Sequence, residues 1–323
     1  MTLVRVIAAT ICTVLLAATS VGAAAQTFGV GTMSQGTITY SAGSAIAKVV
    51  SQQAGLKLRV QPYTGTTQIV PLVNAGEIDF TLANVLEASN AASGGAVFKG
   101  RANPELRVVA VIYRLFVGIF AREDSPYQRV SDLAEKRFPI GYTGQAMIAP
   151  VVEGVLAADG LGFGKVKGVA VPSIVRGADD FATGKAEAFF FGVGAGKVAE
   201  VAAKVGGLRL LKVDDTAAGL DRMRNLVPPS YFTTIKPSKR NVGVVEPTQV
   251  MTYDYLFLAG AHVSDDVVYE VTKTLHGNKK ALAASFGLLN RFNPASMAKN
   301  LDVPYHPGAI RFYREAGLWP PKK

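Results

Sequence analysis

Gln68-Ile69-Val70-Pro71-Leu72-Val73-Asn74-Ala75-Gly76-Glu77-Ile78-Asp79-Phe80-Thr81-Leu82-Ala83-Asn84 reads as a helix, a glycine stop and a short buried strand with a polar end. Gly76 is the stop, because glycine takes the left-handed conformation just past a helix without a Cβ clash. Ile78–Ala83 is short and apolar between turn signals, as a central strand of a parallel sheet should be. The pattern returns in Asp180-Phe181-Ala182-Thr183-Gly184-Lys185-Ala186-Glu187-Ala188-Phe189-Phe190-Phe191-Gly192. Gly76 matches Gly184, Asp79 matches Glu187, and Asn84 matches Gly192. One α/β unit used twice points to two similar lobes, although helix–glycine–acid–strand also recurs in α/β proteins of other designs.

Upstream, Arg5 precedes an apolar run from Val6 to Ala18, and Ala23-Ala24-Ala25 precedes Gln26. Basic, apolar and small-residue regions in that order read as a secretory signal over Met1–Ala25, cleaved near Ala25. A membrane anchor is the alternative, but the run falls short of the roughly 20 residues a span needs. The exported chain, expected in the periplasm, keeps roughly 300 residues, room for two domains. The single cysteine, Cys12, lies in the signal region, so no disulfide, thiol nucleophile or cysteine metal site is expected after cleavage. The formal charge of +10 is spread without a run of five positives. That pattern suits solubility and a mild pull on anions better than a nucleic-acid footprint.

Taken in order, Phe28–Thr32 reads as a first strand, Thr32–Tyr40 as a Gly/Ser/Thr loop and Ala42–Gln53 as a helix. A dinucleotide fingerprint is not met, since Gly29-x-Gly31-x-x-Ser34 lacks its third glycine. Leu56–Gln61 is a second strand, followed by the hydroxyl-rich Tyr63–Thr67 capping a helix at Gln68. Leu106–Tyr113 and Phe116–Arg122 are two strands separated only by Arg114-Leu115, as if one segment passed between lobes. Phe138–Gln145 is a strand with a glycine-spaced polar end, and Ala146–Ala158 a helix. Gly192–Lys197 tempts a phosphate-loop reading, but Phe191 stands where that motif needs glycine. Leu208–Val213 reads as a strand and Pro228–Pro247 as irregular. Tyr253–Ala259 is apolar enough for a return crossing, and helices follow at Asp265–His276, Lys279–Leu288 and after Pro307. The expected fold is therefore α/β, with two hinged lobes and a ligand cleft between them. Residues 26–117 and 258–323 would form the first lobe, and 118–257 the second, inserted lobe.

No catalytic constellation is present in the sequence. His262, His276 and His306 show no metal-ligand spacing, there is no Gly-x-Ser-x-Gly elbow, and His306 reads as a structural hydrogen-bonding residue beside Pro307. The chain is thus not expected to be an enzyme, and an exported hydrolase is disfavoured. No cofactor or metal is expected. The strand ends instead collect hydroxyls, amides and glycines: Thr32, Ser34, Thr39, Tyr40, Thr64, Thr66, Asn84, Tyr142, Thr143 and Gln145, with Gly192 at the echoed end. Ligands of open α/β sheets bind outside the carboxyl ends of strands, and such groups suit a carboxylate or a polar small molecule. Each of them could equally be a helix cap.

The ending Val303-Pro304-Tyr305-His306-Pro307-Gly308-Ala309-Ile310-Arg311-Phe312-Tyr313-Arg314-Glu315-Ala316-Gly317 closely resembles the C-terminal signature of the TAXI family of TRAP-transporter solute receptors. Gly43–Lys48, Gly76–Phe80, Asp124–Leu133, Phe189–Phe191 and Val267–Tyr269 are similar to segments of that family in the same order. The resemblance spans the chain after the signal. It implies a type II periplasmic-binding-protein fold and delivery of glutamate or another small organic anion, such as a dicarboxylate, to an ion-gradient-driven TRAP permease. The receptor is expected to be a monomer; a ligand-sensing partner of a membrane kinase is the alternative. Three positions depart from the family. Gly36-Thr37-Ile38-Thr39-Tyr40 replaces Gly-Gly-Thr-Tyr, Tyr142-Thr143-Gly144-Gln145 replaces Gly-Ser-Gly-Thr, and Glu135 stands where glycine is usual.

Overall fold

The computed structural model describes residues 26–321, so the signal segment read at Met1–Ala25, with Cys12, lies outside the described residues. The chain begins with β1 (Thr27–Met33), α1 (Ile38–Ala54), β2 (Lys57–Tyr63), α2 (Thr66–Asn74), β3 (Phe80–Asn84) and α3 (Val85–Ser93). Its three strands are parallel, in the order β2-β1-β3. A long strand, β4 (Leu106–Arg122), then leaves this lobe. The second lobe holds β5 (Arg137–Gly141), α4 (Ile148–Ala158), β6 (Lys167–Val171), α5 (Ile174–Ala182), β7 (Ala188–Gly192) and α6 (Gly196–Val205). It continues through β8 (Leu208–Leu210), α7 (Ala217–Leu226) and β9 (Tyr231–Ile235). β10 (Thr248–Gly260) returns, and α8 (Asp265–Gly277), α9 (Lys279–Ser285) and α10 (Pro307–Glu315) pack on the first lobe.

β4 and β10 join the lobes. They run antiparallel from Leu106↔Gly260 to Val117↔Met251. β3 pairs with the far end of β10, at Tyr255–Ala259, while β9 pairs with its near end, at Thr248–Thr252. β7 pairs with Val117–Ala121 of β4. Both long strands therefore belong to both lobes. The two strands expected on either side of Arg114-Leu115 are one seventeen-residue strand, because Arg114 turns its side chain out without breaking the ladder. Stacked rings follow the ladder, with Tyr113 on Tyr255 at 5.2 Å and Phe80 on Phe257 at 5.3 Å.

The repeated unit has the same anatomy in both lobes. Gly76 and Gly184 both take φ +78° after α2 and α5, which is why glycine stands at each stop. β3 and β7 are wholly buried, as their apolar runs require. The matched acids do matched work at the start of the neighbouring strand. Asp79 accepts the backbone N–H of Gly29 in β1 at 2.7 Å, and Glu187 accepts that of Arg137 in β5 at 2.9 Å. Glu187 also accepts the Tyr127 hydroxyl at 2.8 Å. These donors, the Arg137 N–H first among them, hold the Glu187 carboxyl below its ordinary value.

Several local readings change. α1 begins at Ile38 with Thr37 as its N-cap, so Thr39 and Tyr40 lie in its first turn rather than in a loop. α2 begins at Thr66 and has no side-chain cap. β6, α7 and β9 carry no strong periodicity in the sequence, and β9 lies inside Pro228–Pro247, the stretch expected to be irregular. Glu135 takes φ +59° and Tyr142 φ +48°, so each holds a left-handed conformation where the resembling family has glycine. Left-handed backbone costs an L-residue about 1–2 kcal/mol. A Cβ on Gly184 would meet nothing within 4 Å, so only backbone conformation is at stake there. Gly184→Ala should therefore destabilise the protein by about 1 kcal/mol, while Glu135→Gly should stabilise it by up to about 1 kcal/mol, both read from urea unfolding.

Candidate ligand cleft

The carboxyl ends of β1, β2 and β3 face those of β5, β6 and β7 across the gap between the lobes. In this structure the gap is closed. Gln145, 2 % exposed, donates from Nε2 to the Thr64 carbonyl at 2.6 Å and accepts the Ile174 N–H through Oε1 at 2.8 Å. The Lys197 N–H reaches the Gly36 carbonyl at 3.2 Å. A Cβ on Gly192 would stand 2.8 Å from Ile38 Cδ1, which explains why this strand end is bare.

Between these contacts lies a cavity of about 30 Å³. Its walls are mostly apolar: Ile38, Leu115 and Val117 on one side, and Ile148, Ile174, Phe190 and Phe191 from the second lobe. Its polar groups are Thr37, Thr39, Asn84, Tyr253 and Tyr255, all uncharged. Burial raises both tyrosines far above the ordinary phenol value, and each remains a neutral hydroxyl. Room for one or two waters is all that 30 Å³ provides. Admission of a larger solute requires the lobes to part, breaking the Gln145 and Lys197 contacts.

The structure divides the residues expected at the site. Thr39, Asn84 and Gly192 line the cavity together. The Thr39 hydroxyl donates to Tyr255 Oη at 3.3 Å. Asn84 accepts the Glu87 N–H at 2.8 Å through Oδ1, so it caps α3 and leaves Nδ2 for the cavity. Ser34 and Thr64 line a separate open hollow at the outer edge of β2. Thr32 is fully buried under α1, and Thr66 is spent on Glu87. Tyr40 is half-buried and accepts from Gln35 at 3.2 Å. Tyr142 is buried in the second lobe, its hydroxyl on the Pro139 carbonyl, and does not face the cavity. Thr143 is exposed beside it. Gln145 acts as a clasp between lobes rather than a free amide. His306 is structural as expected, its Nδ1 accepting the Gly308 N–H and its Nε2 on the Val263 carbonyl.

Tyr253, Tyr255 and the apolar walls were not singled out from the sequence, because each sits in a run that reads as ordinary buried strand or helix. Glu87 was missed too. It is 1 % exposed in the first turn of α3, holding the hydroxyls of Thr66 and Thr67. Burial outweighs those hydrogen bonds and lifts its carboxyl from 4.5 to about 7.

A model of the NMT1-like family matches residues 30–317. The chain belongs to that family. Solved structures share the fold of this NMT1-like protein at low identity. One, described as a periplasmic transporter, aligns with TM-score 0.57 and 13% identity over 90% of this chain and 92% of its own. PhnD1 from Prochlorococcus marinus (MIT 9301), in complex with methylphosphonate, aligns with TM-score 0.53 and 12% identity over 90% and 98%. The alkanesulfonate-binding protein SsuA from Xanthomonas axonopodis pv. citri, bound to MOPS, aligns with TM-score 0.50 and 18% identity over 91% and 92%. The architecture is thus the two-lobed periplasmic-binding-protein fold expected from the sequence.

Two outcomes follow from this geometry. Glu87 binds its proton more tightly in the folded than in the unfolded chain, so its favourable contribution is complete below about pH 4.5 and lost as pH rises through about 7. Glu87→Gln should remove that loss, adding on the order of 2–3 kcal/mol at pH 8 and little at pH 4, measured by denaturation at both pH values. Gln145→Ala should shift the lobes towards the open form, seen as a larger radius of gyration by small-angle scattering of the unliganded protein.

Proposed function

We propose that this protein is an exported receptor that closes its two lobes on a small organic solute. The observation carrying this is the cavity between the strand ends, too small for a solute until the lobes part and lined by groups from both lobes and both hinge strands. A solute touching both lobes favours the closed form by the difference in its contacts between the two states. The lobes would divide as 26–117 with 258–323 against 118–257. Neither a nucleophile with its base nor a metal-ligand set lies in the cavity wall, which supports binding over turnover.

The wall chemistry narrows the solute. Five neutral polar groups can take one carboxylate, sulfonate or other compact polar head, with Tyr253, Tyr255 and Asn84 Nδ2 as donors. No lysine or arginine lines the cavity, so a second carboxylate, as in glutamate or a dicarboxylate, would go in without a counter-charge. The body of the ligand meets Ile38, Leu115, Ile148, Ile174 and Phe190. A monoanion or neutral solute with an apolar body is the better match. The proposed partner is a TRAP-type permease, supported by the resemblance of Val303–Gly317 to TAXI receptors. Within the fold that segment packs α10: a Cβ on Gly308 would stand 2.2 Å from the Asp265 carbonyl oxygen.

Thermal-shift titration against phenylacetate, branched-chain 2-oxo acids, glutamate and 2-oxoglutarate tests the assignment. An apolar-bodied monocarboxylate at 100 times its dissociation constant should stabilise the protein by about 2.7 kcal/mol. Asn84→Ser, which keeps an oxygen to cap α3 but lacks the amide donor, should weaken that binding about ten-fold with an unchanged melting temperature. Stabilisation by the dicarboxylates alone would refute the assignment of an apolar-bodied ligand.

A further inference from the structure

Alternate residues of a strand face opposite sides. Leu115, Val117, Tyr253 and Tyr255 face the cleft. Their neighbours Arg114, Phe116 and Asp254 therefore emerge on the back of the β4–β10 ladder. The chain between α9 and α10 packs beside this back face and brings Arg291 and Lys299 to it, lining an open hollow of about 370 Å³.

The charges there do not balance. Arg291 sits over Phe116, its guanidinium carbon 4.0 Å from the ring centroid, and its Nη1 is buried without a hydrogen-bond partner among the described residues. Arg240 lines an adjoining hollow that shares Arg291. Burial, followed by the like charges of Arg114 and Arg240, pulls the Arg291 guanidinium down to about 10, so it stays charged at neutral pH. Among the described residues no carboxylate comes within ion-pairing distance of Arg114, Arg240 or Arg291. The one acid in the wall, Asp254, meets Lys299 through Oδ2 at 2.5 Å, and its Oδ1 has no hydrogen-bond partner among the described residues. With Arg114, Arg291 and Lys299 against a single acid the wall keeps an excess of positive charge, which is unfavourable, and the fork of each guanidinium matches the oxygens of an oxyanion.

We propose that this hollow is a second ligand site, behind the hinge, for a small polyvalent oxyanion such as phosphate, sulfate or a tricarboxylate. Arg291 and Arg114 grip the anion, Lys299 completes the positive wall, and Arg240 adds its charge from the adjoining hollow. The site shares no side chain with the cleft, so it stands whether or not the solute assignment above holds.

Isothermal titration of the purified protein with inorganic phosphate, and separately with citrate, at constant ionic strength tests it. One saturable site is expected, weakened about ten-fold or more by Arg114→Gln and by Arg291→Gln, and unchanged by Asn84→Ser. Arg114 is exposed, so its variant reports even if Arg291→Gln disturbs packing on Phe116. Absence of saturable binding of both anions, wild-type affinity in Arg114→Gln, or loss of binding in Asn84→Ser would each overturn the proposal, the last by placing the anion in the cleft.

Discussion

The antiparallel pairing of β4 with β10 is the constraint on which the rest of this protein depends. Each strand gives one end to each lobe, so the lobes share a backbone ladder while their other strands stay separate. Register shifts between Tyr255 and Leu256, and again between Phe257 and Leu258, add local bend and twist where β3 takes over as partner. The ladder also distributes chemistry by its pleat. One face sends tyrosines, leucine and valine into the cleft, and the other sends Arg114 and Asp254 to the back of the hinge.

Around that ladder each lobe solves the same local problem in the same way. A helix must stop, turn and enter the sheet as a buried strand, and the adjacent strand must start without an orphaned N–H. Glycine at φ +78° handles the turn, and the acid three residues later receives the N–H. Asp79 and Glu187 thus belong to the scaffold, although acids near a cleft invite a functional reading. Glu87 is the reverse case. It carries no motif, yet burial makes it the carboxyl of the cleft region that titrates near neutrality.

Much of the site escaped sequence reading for a physical reason. Hydroxyl and amide residues at strand ends were the signal available, and the same groups serve as caps and clasps. Asn84 does both, capping α3 and facing the cavity, whereas Gln145 spends both ends of its amide on closure. The apolar half of the cavity gave no signal, since Ile38, Ile174 and Phe190 have the composition of any core. Tyr142 and Glu135 show the complement: both carry left-handed backbone that glycine would adopt without strain, and the side chains there are accommodated at a cost.

By itself the sequence determined the repeated helix–glycine–acid–strand unit, the passage of the chain out of the first lobe and back, and the structural role of His306. Those features rest on local rules of backbone conformation and on periodic burial, which neighbours in the chain decide. Only the tertiary structure decided which polar strand ends meet, that the cleft wall carries no cation, and that Arg114, Arg240 and Arg291 converge behind the hinge. Residues 114, 240 and 291 lie on separate segments, and no local rule links them. Their meeting is set by how the strand ladder and the segment after α9 pack together.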